Sequence, residues 1–411
     1  MEKVYQKSLD LHKQMQGKIE ITNKIDVDSQ EKLSLVYSPG VAQPCLEIEK
    51  NPETAYDYTM KGNTIAIVTN GTAVLGLGNI GALAALPVME GKAMLFKKFA
   101  GINVIPICID STNPRHIIDT IRRISPGFGG INLEDFKAPE SFEIEESLQD
   151  LGIPVFHDDQ HGTAIVTLAA LMNAAKVVGK ELSDLKVVVN GAGAAGIAIA
   201  KLLRCFHIDS DLCISVNQLI VADSKGAIHR FRNDLNSAKT ELLKYSNFKD
   251  VKGDIHEIIK GADVFIGVSK GNLISKEDVQ NMAKDPIIFA LANPTPEIDP
   301  DEAIAGGAAV IGTGRSDHPN QINNVLAFPG IFKGALKARA KVISTEMKLA
   351  AAKAIADSVK NPTKDKVIPP ALDSSLASVV AEAVEAVAYK EQKLEKEIQE
   401  EEEKLEAAKN K

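Results

Sequence analysis

The stretch VVVNGAGAAG, from Val187 to Gly196, constrains this chain more than any other. An apolar run ends at Asn190, and Gly191, Gly193 and Gly196 follow in the G-x-G-x-x-G pattern. Glycine serves three needs there: a tight turn, close approach of the backbone to a pyrophosphate, and close packing of the next helix. That helix offers free N–H groups and the positive end of its dipole to the phosphates. Gly191, Gly193, Ala194, Ala195 and Gly196 are therefore expected to cradle a dinucleotide. The expected acidic partner is Asp223, which follows LIVA and lies 27 residues beyond Gly196. This exceeds the usual spacing of about 20 residues, and the segment His207–Asn217 reads as a surface insertion that accounts for the excess. Asp223 favours NAD, because a carboxylate accepts from the ribose hydroxyls and repels a 2′-phosphate. Ser224 and Lys225 pull the other way, so NAD is expected with NADP admitted.

The fingerprint belongs to a larger α/β pattern. Apolar runs at Thr64–Val68, Val104–Ile109 and Ile153–Phe156 alternate with helical segments. A second series holds Lys186–Asn190, Leu219–Ala222, Asp263–Val268, Ile287–Ala290 and Ala309–Ile311. Such alternation specifies parallel sheets joined by crossover helices. The expectation is an N-terminal α/β catalytic domain over residues 1–160 and a doubly wound Rossmann-type NAD(P)-binding domain over 161–375. A C-terminal helix and charged tail occupy 376–411. A long helix over 161–179 links the halves, and helices beyond about residue 340 should pack back onto the first domain. The last 22 residues hold eight Glu and six Lys, with Leu394, Ile398 and Leu405 at helical spacing. They read as a solvated terminal helix.

Composition excludes several functions. The formal charge is -8, aromatics are 5% and Trp is absent, which disfavours both counterion release and base stacking on nucleic acid. The amino terminus is charged throughout, and the apolar stretch TAIVTLAALMNAAKVVG is broken by Asn173 and Lys176, short of a membrane span. Cys45, Cys108, Cys205 and Cys213 form no CxxC pair and are expected as reduced, mostly buried thiols of a cytoplasmic protein.

Several segments carry candidate chemistry. TNGTAVLGLGNIG (69–81) is glycine-rich but lacks the Gly-Lys-Ser/Thr ending of a P-loop, so it reads as a backbone-lined loop in a cleft. A helix that Pro87 could start places Lys97 and Lys98 on the face of Glu90, Gly91 and Met94. It places Lys92 on the opposite face with Val88, Leu95 and Phe99, which should turn inward. A desolvated lysine has a lowered pKa and can serve as a general base, although a snorkelling or paired lysine fits the pattern equally. Glu134-Asp135 in GGINLEDF and Asp158-Asp159 in PVFHDDQHG each follow a short apolar run, which places both pairs at strand ends on one rim. Singly, either pair is an ordinary turn. Converging, they repel unless a cation lies between them, and all-oxygen ligands suit Mg²⁺ or Mn²⁺. His157 and His161 flank the second pair. Asn293 in LANPTPE follows a buried strand and Asn323-Asn324 in HPNQINNVLAFPG precede an apolar helix, where asparagine binds carboxylates or amides or simply caps a helix.

Taken in order, YSPGVA, GLGNIGALAALPVMEGKAMLFKKFAGI, LEDF, PVFHDDQHGTA, NGAGAAG, ANPTPE and NNVLAFPG resemble the malic enzymes of the short microbial type, from about Tyr37 to about Pro370. The resemblance implies oxidative decarboxylation of (S)-malate to pyruvate and CO₂ with NAD or NADP and a divalent metal. It makes Lys92 the general base, Tyr37 the general acid, and Glu134, Asp135 and Asp159 the metal ligands, with Asp158 supporting Lys92. It assigns Asn293 to the substrate or nicotinamide end together with Asn323. It also implies a dimer or higher homo-oligomer. The position aligned with the carboxylate-binding arginine of the longer, eukaryotic-type enzymes is Val74. A Rossmann amino-acid dehydrogenase also uses a catalytic lysine, but the paired acids speak against it.

Overall fold

The computed structural model describes residues 2–74, 76–205 and 215–409. Two sheets organise it. In the first, β1 (Thr64–Thr69), β2 (Asn103–Cys108), β3 (Ile131–Leu133) and β4 (Val155–His157) are all parallel, in the order β2-β1-β3-β4. In the second, β5 (Lys186–Asn190), β6 (Gln218–Asp223), β7 (Gly226–Ala227), β8 (Val264–Gly267), β9 (Ile287–Ala290) and β10 (Val310–Thr313) run in the order β10-β9-β8-β5-β6-β7. Only β7, paired with β6, is antiparallel. Every residue of β1, β8 and β9 is buried, as strands covered on both faces require. Strand order reverses beside β5, and ligands of such sheets bind at the carboxyl ends of strands next to that reversal. The expected strands agree to within two residues at each end, the short β3 and β7 were not among them, and the expected insertion at His207–Asn217 lies mostly outside the described residues.

Six helices carry the rest of the argument: α1 (Ala82–Ala100), α2 (Asp158–Val178), α3 (Ala194–Leu203), α4 (Phe328–Lys337), α5 (Thr345–Asp357) and α6 (Leu376–Lys409). The first begins five residues before the expected start at Pro87. Gly81, at φ 81°, turns the chain into it, and the buried Ala82 and Ala85 give the added turn an inner face. Pro87 lies on the exposed side, where the loss of one main-chain bond is tolerated. Helix α2 is long and apolar enough to cross a membrane, but two thirds of its most apolar window is buried inside the protein. Asn173, which breaks that stretch, donates from Nδ2 to the carbonyls of Ala356 (2.8 Å) and Val367 (3.0 Å). A buried amide is thus satisfied by tying α2 to the end of α5.

One continuous core passes from Ile65, Phe96 and Phe156 through α2 to Val187, Ile197 and Phe289 of the second half. Phe328 on α4 lies 4.6 Å, ring to ring, from Phe96 on α1, while Phe332 lies 5.5 Å from Phe96 and 5.9 Å from Phe156. A Cβ on Gly330 or Gly334 would stand within 3 Å of Val380 or Val384, so these glycines let α6 lie close on α4. The late helices therefore return to the first sheet by way of α4. Beyond Ala388, α6 leaves Leu394 and Ile398 exposed, as a solvated helix end requires.

The amino-terminal arm behaves differently. Its helices Gln30–Val36 and Ala42–Lys50 bury no residue, and Ile21, Leu35, Tyr37 and Leu46 are all exposed. Cys45 is exposed because it rides on this arm, and Cys108 is only half-buried. Cys205, at the end of α3, is disulfide-bonded, which corrects the expectation of four reduced thiols. Cys213 lies outside the described residues.

The core arrangement sets a stability test. Phe96→Ala opens a cavity between α1, α4 and β4 and should cost about 3–5 kcal/mol, read as a lower denaturant midpoint. Leu394→Ala should stay within about 0.5 kcal/mol of the parent.

Candidate active site

The register of the first sheet builds the site. Leu133 is paired with His157 as the last residue of each strand, so the chain leaves β3 as Glu134-Asp135 directly beside Asp158-Asp159 leaving β4. Both expected acid pairs therefore meet on one rim. Glu134, Asp135 and Asp158 are almost wholly buried, while the Asp159 side chain is one-third exposed. One oxygen each from Glu134, Asp135 and Asp159 lies within 4.8 Å of the others. Asp135 adopts φ 58°, a left-handed conformation that a non-glycine residue holds only where its surroundings demand it. In that pose its N–H donates to Asp159 Oδ2 (2.8 Å) and its carbonyl accepts from Ala73 of the glycine-rich loop (2.9 Å). That loop thus packs on the acids as a cleft wall.

The carboxylates pay electrostatically for their company. Burial first, then the neighbouring acids, push Glu134 well up from its ordinary value. The same causes raise Asp135 to about 7, while Asp158 rises through burial despite the pull of Lys92. Asp135 Oδ2 and Asp158 Oδ1 are buried with no hydrogen-bond partner. Three converging oxygens, one of them belonging to a carboxylate with an orphaned atom, fit a hard divalent cation such as Mg²⁺ or Mn²⁺.

Lys92 is the counter-charge. Its Nζ donates to Glu134 Oε1 and Asp158 Oδ2 and lies 5.0 Å from the centre of the Phe328 ring. The inward-facing position is as expected, and Lys97 and Lys98 are exposed. The expected lowering of its pKa is reversed. Burial does push the ammonium down, but Asp158, Glu134 and Asp159 together raise it by more. Val88, placed on the same inward face by the wheel, is exposed.

Asn324 Nδ2 also donates to Asp158 Oδ2, whereas Asn323 uses Oδ1 to cap the following turn at Val325 N (2.9 Å). The side chain brought to the acids is thus the neighbour of the one expected. Gly162, one turn into α2, was not singled out from the sequence. A Cβ there would lie 1.9 Å from Asp158 Oδ1 and 3.1 Å from Asn324, so only glycine leaves room for this cluster. Its signal was the glycine of HDDQHG. The His157 ring is fully buried with Nε2 3.9 Å from Asp159, while His161 turns away to Glu145 (2.8 Å). Tyr37 is 68% exposed on the arm, and no hydrogen bond among the described residues ties its side chain to the site.

In the second sheet, Gly191 at φ 130° donates its N–H to Ala222 (2.9 Å), which seats the glycine turn beside the end of β6. A Cβ on Gly196 would stand 1.7 Å from the Gly191 carbonyl, whereas Gly193 faces open space. Helix α3 starts at Ala194, so the N–H groups of Ala194 and Ala195 open its first turn. Asn293 follows β9 on the same rim, half-buried against Gly314. Ser224 and Lys225 are exposed next to Asp223. Asp223 itself is not free. Oδ1 accepts from Lys225 N (2.9 Å) and Arg232 Nη1 (2.8 Å), and Oδ2 accepts from Arg232 Nη2 (3.0 Å) and Lys239 Nζ (2.6 Å). These bonds outweigh its burial and hold it down at about 2. A cavity of about 950 Å³ opens elsewhere, between α2, α3 and α5; His161 and Glu145 line it, but none of the four clustered acids, Lys92, Asp223 or the glycine turn does.

A glycine-turn dinucleotide domain set beside a buried acid–lysine cluster defines an NAD(P)-dependent oxidoreductase. The chain matches the family descriptions "Malic enzyme, N-terminal domain" over residues 16–117 and "Malic enzyme, NAD binding domain" over 160–390. It is 55% identical over 383 residues to the bifunctional malic/malolactic enzyme of Bacillus subtilis, covering 92% of each chain. It is 53% identical over 377 residues to the NAD-dependent malic enzyme of Geobacillus stearothermophilus, covering 91% of this chain and 77% of that one. The NADP-dependent malic enzyme of Escherichia coli is 51% identical over 355 residues, and the match spans 86% of this chain but 46% of that longer one. The crystal structure of the NAD-dependent malic enzyme of Thermotoga maritima superposes with a TM-score of 0.87 at 46% identity, covering 92% of this chain and 98% of that one. The chain belongs to the malic enzyme family.

The acid cluster sets a metal test. Asp159→Asn and Glu134→Gln keep side-chain shape but remove charge, and each should weaken Mn²⁺ binding at least about tenfold, measured by electron paramagnetic resonance titration. Parent-like affinity in both variants would contradict the assignment.

Proposed function

We propose that this protein oxidatively decarboxylates (S)-malate to pyruvate and CO₂ while reducing NAD(P), with Mg²⁺ or Mn²⁺ held by Glu134, Asp135 and Asp159. The observation that carries this reading is Lys92 Nζ, buried between Glu134 and Asp158 next to three converging carboxylate oxygens. A metal held there would supply a Lewis acid to the oxygen on C2, which would favour loss of the carboxylate carried by C3. A cation held by the same carboxylates would offset the pull that keeps Lys92 protonated. As the neutral amine, Lys92 takes the C2 hydroxyl proton and becomes the ammonium as hydride leaves C2 for the nicotinamide. Asp158, itself held by Asn324, keeps the lysine in place, so that the amine lone pair and the substrate oxygen are oriented before reaction. Tyr37 returns a proton to C3 of enolpyruvate. Asn293 and Asn323 serve the substrate or nicotinamide end, and the turn Gly191–Gly196 takes the pyrophosphate at the start of α3. Val74, buried in a bridge with Gly78, offers no charge to the substrate carboxylate, which must be bound by another group.

The reading includes a homo-oligomer, dimer or larger. An arm whose helices bury nothing, and which exposes Ile21, Leu35 and Leu46, is apolar surface that a second copy would cover. The same docking would give Tyr37 the enclosed surroundings that a proton donor needs. Small carboxylic acids are the expected partners, with neither nucleic acid nor membrane, in the cytoplasm.

Two variants test the division of labour. Lys92→Ala should lower malate-dependent cofactor reduction by roughly 10² to 10⁴-fold, because the oxidation step loses its base. Tyr37→Phe should lose a comparable factor in overall turnover yet still form reduced cofactor in a first turnover, read by rapid-mixing absorbance. Lys97→Ala and Lys98→Ala should remain near the parent rate, and damage equal to that of Lys92→Ala would overturn the role given to Lys92.

A further inference from the structure

The end of β6 carries a second charge network that the reaction above does not use. Around Asp223 stand Arg232, Lys239, Lys225 and Asp234. Arg232 spends all five N–H groups: Nε and Nη2 on Asp234, Nη1 and Nη2 on Asp223, and Nη1 again on the Gly226 carbonyl. Lys225 Nζ lies 2.8 Å from Asp234, and Lys239 Nζ lies 2.6 Å from Asp223. Three cations thus face two carboxylates.

This changes what Asp223 can do. An ionised carboxylate offers about four lone-pair sites, and the four donors already on Asp223 fill them. To accept from two ribose hydroxyls it must first give up charge-assisted bonds, which are stronger than those it would gain. Its negative charge is also spent. With Arg232 and Lys239 against it, Asp223 no longer repels an approaching phosphate, and the surplus cation favours one. The outermost cation, Lys225, is two-thirds exposed, follows the exposed Ser224 and can swing from Asp234 to a ligand.

Resting on the dinucleotide reading of the glycine turn, we propose that Asp223 is a positioning residue. It and Asp234 hold Arg232, Lys239 and Lys225 as a platform for the 2′-phosphate of NADP, with Lys225 and Lys239 as its direct ligands. The chain therefore prefers NADP to NAD.

The test is calorimetric binding of adenosine 2′,5′-bisphosphate and of adenosine 5′-monophosphate to the full chain, at low ionic strength and without malate or metal. The two probes differ only in the 2′-phosphate. The bisphosphate should bind at least about tenfold tighter, an advantage that added salt should erode. Lys225→Met and Lys239→Met should each weaken the bisphosphate several-fold and leave the monophosphate unchanged, which also verifies that the fold is intact. Equal or tighter binding of the monophosphate by the parent overturns the proposal, as does an equal loss of both probes in the lysine variants. Either result leaves the malate reading untouched, since no step of the reaction is measured. Failure of both probes to bind overturns the proposal together with the dinucleotide site on which it rests.

Discussion

Four carboxylates held at the ends of two paired strands, with a single lysine among them, are the constraint on which the rest of this structure depends. Like charges in a low-dielectric setting oppose folding unless they are compensated, and here three of the four are almost wholly buried. Compensation comes from three directions. Lys92 is delivered by α1, Asn324 by the turn before α4, and the start of α2 lies under Asp158 and Asp159 with its dipole suitably signed. In the proposed reading a divalent cation would supply what remains. The packing of α4 on α1 through Phe96, Phe328 and Phe332 is thus also what keeps Lys92 and Asn324 at a common point.

Helix α2 joins chemistry to architecture. Its first turn carries two of the acids and Gly162, its middle is core, and its far end is tied to the end of α5 through Asn173. Because the core continues through it into the second sheet, the carboxyl ends of β3 and β4 and the glycine turn after β5 are placed by one continuous core rather than by a loop. A site built this way holds a hydride donor and acceptor in register at small entropic cost.

Much of this was legible in the sequence because it lies in contiguous motifs. The strand–turn–helix at 187–196 declares itself, and an acid pair directly after an apolar run is placed by the strand it ends. What was not legible depends on partners far along the chain. Lys92 was expected as a lowered base because burial acts on it locally; the carboxylates that reverse the sign are 42 and 66 residues away. Asp223 was expected to be free because Arg232 and Lys239, 9 and 16 residues on, show no periodic relation to it. The choice of Asn324 over Asn323 turns on which of two adjacent side chains caps a single turn. Tyr37 was named by resemblance alone, and in the single chain it stands on an uncovered arm.

The central claim is that the acid–lysine cluster is one metal-dependent unit that carries malate through to pyruvate. It is tested most directly by measuring reduced cofactor and pyruvate from malate as Mn²⁺ is restored to chelator-treated protein. The account expects neither product without the metal, and both in equal amounts with it. Malate oxidation that persists in the chelator, or oxaloacetate accumulating in place of pyruvate, would contradict it.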